Sequence, residues 1–269
     1  MALTLSTVRH SVFGAGDGTE AAQRLLGYWG ERLAPYRVPV APDRYLGGNR
    51  NSVSSMTCAM VDPHWTDARL DLVIGAHAVP DSDPFLSLSG CYAHRFDADA
   101  LVFGVSDRGR LAPFSALRIA LAHPGLARIL VIAMDQSSVP FEDPGLDGLD
   151  PTADHAVALL LSGAPDASGA RVDLLPDVCE IAPDAVDAAV DAALCGTGRD
   201  VDLVIAGPQV GPLAAGFRVV EAPRDQLCTA VWSTLADELS RGGARRIALV
   251  DYEPALGYLC LATVDTRGD

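Results

Sequence analysis

The chain has 269 residues, 49% of them hydrophobic and 20% charged, which is enough apolar material to fill the core of one large domain or of two fused halves. Its net charge of -15 argues against a nucleic-acid partner, because phosphate binding draws its free energy from clustered basic residues. All 20 basic residues are arginine, and the absence of lysine excludes a lysine Schiff base, pyridoxal phosphate attachment and a P-loop; no cofactor is expected.

Six cysteines (Cys58, Cys91, Cys179, Cys195, Cys228, Cys260) are scattered without a CxxC pair, which speaks against both a zinc site and a disulfide framework. Most are expected to be buried thiols. No apolar run approaches the roughly 18 residues of a membrane span, and the N-terminus lacks a signal-peptide pattern, so a cytoplasmic protein is expected.

The first 60 residues are the hardest to read. A glycine-rich turn, GAGDG at 14–18, precedes a helical pattern over 19–33 in which Ala21, Leu25, Leu26 and Trp29 recur at helical spacing. No long apolar strand comes before GAGDG, so a plain loop is preferred to a phosphate cradle. Irregular structure is expected over 35–48.

Residues 70–76 (LDLVIGA) form the first apolar strand, which leaves His77 at its carboxyl end, as a functional side chain or as a hydrogen-bonded structural one. Residues 96–138 then read as a βαβ unit. A strand at 100–105, expected to be buried on both faces, breaks at Asp107, Arg108 and Gly109; a helix starts near Leu111 and ends at Pro124; a second buried strand covers 129–134. The turn from Ser106 to Arg110 thus lies at the carboxyl end of a sheet, where open α/β folds keep their chemistry.

The acidic loop 140–151 lacks calcium-ligand spacing and reads as solvated, and no metal site is expected. A strand at 155–161, a helix at 185–194, a strand at 201–206, a long helix at 227–241 and a closing hairpin of 246–252 with 256–264 follow. The strands LDLVIGA and VDLVIAG are near copies, which suggests two α/β halves related by duplication, 1–165 and 166–269, in one compact unit.

The succession LDLVIGAHAVPDSDP, FDADALVFGVS, SALRIALAHPGLARILVIAMDQSS, ADHAVALLLSG, VDLVIAGPQ and RRIALVDYEPALGYLCLATV, from about residue 70 to 264, resembles the condensing enzymes of the thiolase superfamily, closest to the ketoacyl synthase III branch. The resemblance implies an α/β fold with a five-layered α/β/α/β/α core built from two duplicated halves, here shortened. It also implies an acyl-accepting cysteine at a helix N-terminus and a histidine and an asparagine from the second half. The nucleophile position, six residues before Ala116, is Arg110; the histidine position is Pro208; the asparagine position is Cys228. Losing one member of such a set costs on the order of 10⁴ to 10⁶ in rate.

The resemblance therefore implies a non-catalytic ketosynthase III-like subunit of fatty-acid, polyketide or secondary-metabolite biosynthesis. Its expected partners are an active ketosynthase paralogue and an acyl carrier protein. The alternative is an acyltransferase or condensing enzyme with a replaced nucleophile, Ser106, Asp107 or Cys228, for which His77 and His155 are the histidines expected nearest the site. Arg110 would hold a pantetheine phosphate or a carrier-protein carboxylate, or cap the turn near Asp107. In the family the strand at 99–106 pairs across a dimer axis, so a homodimer or heterodimer is expected, without nucleic acid or membrane.

Overall fold

A computed structural model describes residues 3–16, 19–61, 69–96, 100–123, 125–141, 151–164, 167–196, 200–213, 216–243 and 245–267. Most of the acidic loop read over 140–151 lies outside them. The described strands are β1 (Leu3–Phe13), β2 (Leu72–His77), β3 (Leu101–Val105), β4 (Ile129–Asp135), β5 (Asp154–Ser162), β6 (Ala170–Leu174), β7 (Leu203–Ala206), β8 (Val219–Glu221), β9 (Arg246–Glu253) and β10 (Tyr258–Asp265). The helices are α1 (Thr19–Leu33), α2 (Pro42–Gly47), α3 (Val53–Met60), α4 (Leu88–Phe96), α5 (Ala112–Leu121), α6 (Val186–Gly196) and α7 (Ala230–Ser240).

The strands hydrogen-bond into one sheet in the order β3, β2, β4, β5, β1, β6, β10, β9, β7, β8. The order reads as a mirror about the contact of β1 with β6: β2 and β7, the LDLVIGA and VDLVIAG strands, occupy matching places. Within each half the strands equivalent to β2, β3 and β4 run parallel, and β5 or β10 runs against its neighbour.

Strand alternation builds the layers. Leu72, Ile74, Ile129, Val131, Leu203, Ile205, Ile247 and Leu249 all join a single core with Phe114 and Leu117 of α5 and Trp232 and Leu235 of α7. The residues between them face outward: Val73, Leu130 and Ile132 pack on α3 and α4 through Met56, Met60 and Tyr92, while Val204, Ala248 and Val250 pack on α6 through Val186, Val190 and Leu194. Both half-sheets therefore close on α5 and α7, whose Phe114 and Trp232 rings lie 5.1 Å apart. The result is the five-layered α/β/α/β/α core, in which the inner apolar strands β2, β4, β7 and β9 are covered on both faces.

Five sequence expectations change. An opening strand does exist: β1 pairs with β5 and β6, but a bulge between Leu5 and Thr7 shifts its inward positions from Leu3 and Leu5 to Val8, so a period-two scan loses it. The region 35–48 contains the short helix α2, and β6 forms where no element was expected. β3 is not buried on both faces: it pairs only with β2 among the described residues, and Leu101 is 54% exposed. Finally, Cys58, Cys228 and Cys260 are buried, but Cys179 and Cys195 are exposed and Cys91 is half-buried. No helix among the described residues is long and apolar enough to cross a membrane.

Candidate functional site

The parallel strands of the two halves bring their carboxyl ends together beside the first turn of α7. Asp135, the last residue of β4, is fully buried and accepts the backbone N–H groups of Leu227 (2.8 Å), Cys228 (2.7 Å) and Thr229 (3.0 Å), as well as the Thr229 hydroxyl. One carboxylate thus satisfies three amides that the helix cannot pair internally, in the place where the helix dipole favours a negative charge. This is also why α7 begins at Ala230 rather than at the expected Leu227.

Cys228 is the centre of this arrangement. It is 1% exposed, and its thiol donates to the carbonyl of Gly109 at 3.5 Å, so the turn of the first half touches the helix start of the second. Burial pushes the thiol well above its ordinary range, and the charges of Asp135 and Asp251 push it the same way. A thiol held protonated in this manner is a poor nucleophile.

The turn itself is closed by β9. Gly109 adopts φ 56°, a conformation that favours glycine, and a β-carbon there would lie 2.5 Å from Glu253 Oε2, so a larger residue would also have to displace that carboxylate. Arg110 points inward, 2% exposed. Its backbone N–H donates to Glu253 Oε2 at 3.4 Å and its Nε lies 3.7 Å from the same oxygen, an ion pair too long for a side-chain hydrogen bond. Its Nε and Nη1 have no hydrogen-bond partner among the described residues. The capping role near Asp107 falls instead to Arg108, 3.5 Å from that carboxylate.

Asp251, two residues before Glu253, is 1% exposed and accepts only the N–H of Tyr252 (2.9 Å) on Oδ1, while Oδ2 is unpaired. Burial raises its pKa to about 7, against the pull of the Arg110 charge. Gly207, at the end of β7, lies against it: a β-carbon there would sit 2.1 Å from Asp251 Oδ1. Pro208 follows directly. Arg110, Pro208 and Cys228 are therefore gathered around the carboxyl end of β9.

The other candidates make contacts of their own, although Ser106 and Asp107 share the turn of Gly109 and His155 is the cross-strand neighbour of Asp135. Ser106 is exposed, and Asp107 accepts the Ser115 hydroxyl at 3.0 Å. His77 closes a local turn through Nδ1 and the Val79 carbonyl, 2.6 Å apart. His155 stacks on His10 of β1, with ring nitrogens 3.2 Å apart; burial and then His155 push the His10 pKa down. Sequence reasoning missed Asp135, Asp251 and Glu253. Their signal was present, since an acidic residue ends each of the apolar runs ILVIAMD and RIALVDYE.

A second charged group lies near the turn. Asp177 accepts Arg108 Nη1 (2.7 Å), Arg118 and the thiol of Cys260 (3.0 Å), while Arg108 also stacks over Tyr258 at 5.0 Å. Burial raises the Asp177 pKa, but the bonds from Cys260 and Arg108 and the charge of Arg118 outweigh it and leave the carboxyl below its ordinary value.

No family model matches the chain, and no curated protein matches it. Solved structures do match along nearly the whole length. AbyA1, a tetronic acid condensing enzyme, has a TM-score of 0.61 at 15% identity over 97% of this chain and 99% of its own. A variant of OleA from Xanthomonas campestris has a TM-score of 0.64 at 13% identity over 98% of each chain. ChlB3, described as an acyltransferase, has a TM-score of 0.62 at 15% identity over 100% of this chain and 98% of its own. The protein has the fold of the thiolase-type condensing enzymes. At these identities the likeness is one of fold alone.

Proposed function

We propose that this chain is a non-catalytic, ketosynthase III-like subunit that pairs with an active condensing enzyme working on acyl chains. The carrying observation is the filling of the site: at the position that the sequence resemblance marks for an acyl-accepting thiol, the buried Arg110 pairs with Glu253 beside the buried Asp251. The one cysteine in contact with that turn, Cys228, is enclosed and held as the thiol. Nucleophilic catalysis needs an accessible, activated group, and Cys228 is neither exposed nor held as a thiolate. Structural neighbours that condense or transfer acyl groups, one of them described with bound lauric acid and lauroyl-CoA, support acyl chemistry as the setting.

The test is intact-protein mass spectrometry after incubation with acyl-CoA and acyl carrier protein donors, together with co-purification from the native host. No covalent adduct and a co-purifying, cysteine-bearing paralogue are expected. A stoichiometric acyl adduct would overturn the proposal in favour of an acyltransferase or condensing enzyme with a replaced nucleophile, and its mapping to Ser106, Asp107 or Cys228 would identify that group.

A further inference from the structure

Two buried groups beside the Gly109 turn keep hydrogen-bonding capacity that the protein does not use. Arg110 is 2% exposed, and neither Nε nor Nη1, which together carry three N–H donors, has a partner among the described residues. Asp251 is 1% exposed, and its Oδ2 accepts no hydrogen bond there. The two side chains are near enough for the guanidinium charge to act on the carboxyl, yet they share no hydrogen bond. Cys228 feels both charges, but its thiol donates to the Gly109 carbonyl and to neither of them. Three donors of a charged group and a facing acceptor are rarely buried without partners, because each loses its hydration and gains nothing in return. The pair is therefore completed by a bound molecule.

The surroundings select that molecule. It has to accept from a guanidinium and also suit Asp251, whose pKa of about 7 keeps it present as both acid and carboxylate near neutrality. An anion accepts from Arg110 but donates nothing to an ionised Asp251, and the charges of Glu253 and Asp135, which also act on Asp251, repel it. A metal cation needs a converging ligand set, and no group of three His, Cys, Asp or Glu side chains among the described residues could hold one. A larger organic ligand would have to pass side chains that are only 1% and 2% exposed. Water is neutral and small, and it both accepts and donates, so it serves either form of Asp251.

We propose that Arg110 and Asp251 hold at least one internal water molecule, which accepts from Arg110, bonds to Asp251 Oδ2, and thereby joins the turn of the first half to β9 of the second. The ground for this is the orphaned donors and acceptor, and it holds whether or not the chain pairs with a ketosynthase. One consequence does rest on the proposed function. An acyl chain entering here would displace an ordered water without replacing its hydrogen bonds, so the hydrated pair keeps acyl groups out.

The test is a high-resolution crystal structure of the full chain, joined to oxygen-17 magnetic relaxation dispersion in solution, which counts long-lived internal waters. A compact density peak within about 3.2 Å of both Asp251 Oδ2 and Arg110 Nε or Nη1 is expected. Arg110→Met and Asp251→Val remove the polar atoms, and each should lose about one or two long-lived waters, while Arg218→Met at an exposed site should lose none. The wild-type density decides the proposal even if neither variant folds. A direct hydrogen bond between Arg110 and Asp251 with no density between them would overturn it. So would an anomalous peak there after a bromide soak, which marks an anion, or a count of internal waters that the folded variants retain in full. An acyl adduct on Cys228 would refute the subunit reading and leave the bound water standing.

Discussion

Replacing Asp251 by asparagine should change how stability depends on pH, and the size of the change follows from where the carboxyl sits. Asp251 is 1% exposed, with one oxygen bonded to the Tyr252 amide and the other unpaired, and burial raises its pKa to about 7. The unfolded chain would titrate the same group near 3.8. The folded pKa is thus above the unfolded one. The contribution of this group to stability is fully present below pH 4, is lost progressively as pH rises toward about 7, and is flat above that. A difference of about 3 pKa units corresponds to roughly 4 kcal/mol. Asparagine keeps the shape and cannot ionise, so it removes the pH-dependent penalty. An amide without an acceptor would add a cost of about 1 to 3 kcal/mol, the same at every pH. The slope of the difference between variant and wild type is therefore the diagnostic quantity, whatever its offset. Reversible urea unfolding followed by far-UV circular dichroism between pH 5 and pH 8.5 measures it. The variant should gain on wild type by about 2 to 3 kcal/mol across that interval. A difference that stays constant with pH would refute the assignment of a buried, largely protonated Asp251.

Gly109→Ala must adopt φ 56° and place a methyl 2.5 Å from Glu253 Oε2, so thermal unfolding should show a loss of about 1 to 3 kcal/mol, while Gly14→Ala, with nothing near its β-carbon, should be close to neutral. Brief treatment of the native protein with iodoacetamide at pH 7.5 should label the exposed Cys179 and Cys195 well before Cys228 and Cys260, as read by peptide mass mapping; early labelling of Cys228 would revive it as a nucleophile. At the open edge of the sheet, Phe103→Asp in β3 should turn a dimer into a monomer by light scattering, alone or with the paralogue, because a charge desolvated in a strand pairing costs several kcal/mol; a monomeric wild type in both mixtures would refute association through β3.

Much of this fold was legible in the chain because its buried strands are unbroken apolar runs, and such runs declare themselves locally. LDLVIGA, ILVIAMD, HAVALLL and VDLVIAG each appear where they were read, and the likeness of β2 and β7 anticipated the mirrored strand order. β1 was hidden by its own bulge and by Thr4, Ser6, Thr7 and Arg9, and only its pairing with β5 and β6 identifies it as a central strand. The exposure of β3 was equally invisible, because an apolar strand at an edge has the same composition as one inside. At the site, the sequence determined which residues stand at the three positions the family resemblance marks: Arg110, Pro208 and Cys228. Only the tertiary structure decided what surrounds them. Asp135 is 92 residues from the Leu227 amide it accepts, and Glu253 is 143 residues from Arg110. Contacts of that range depend on how two half-sheets close around α5 and α7, and no local pattern of residues encodes that closure.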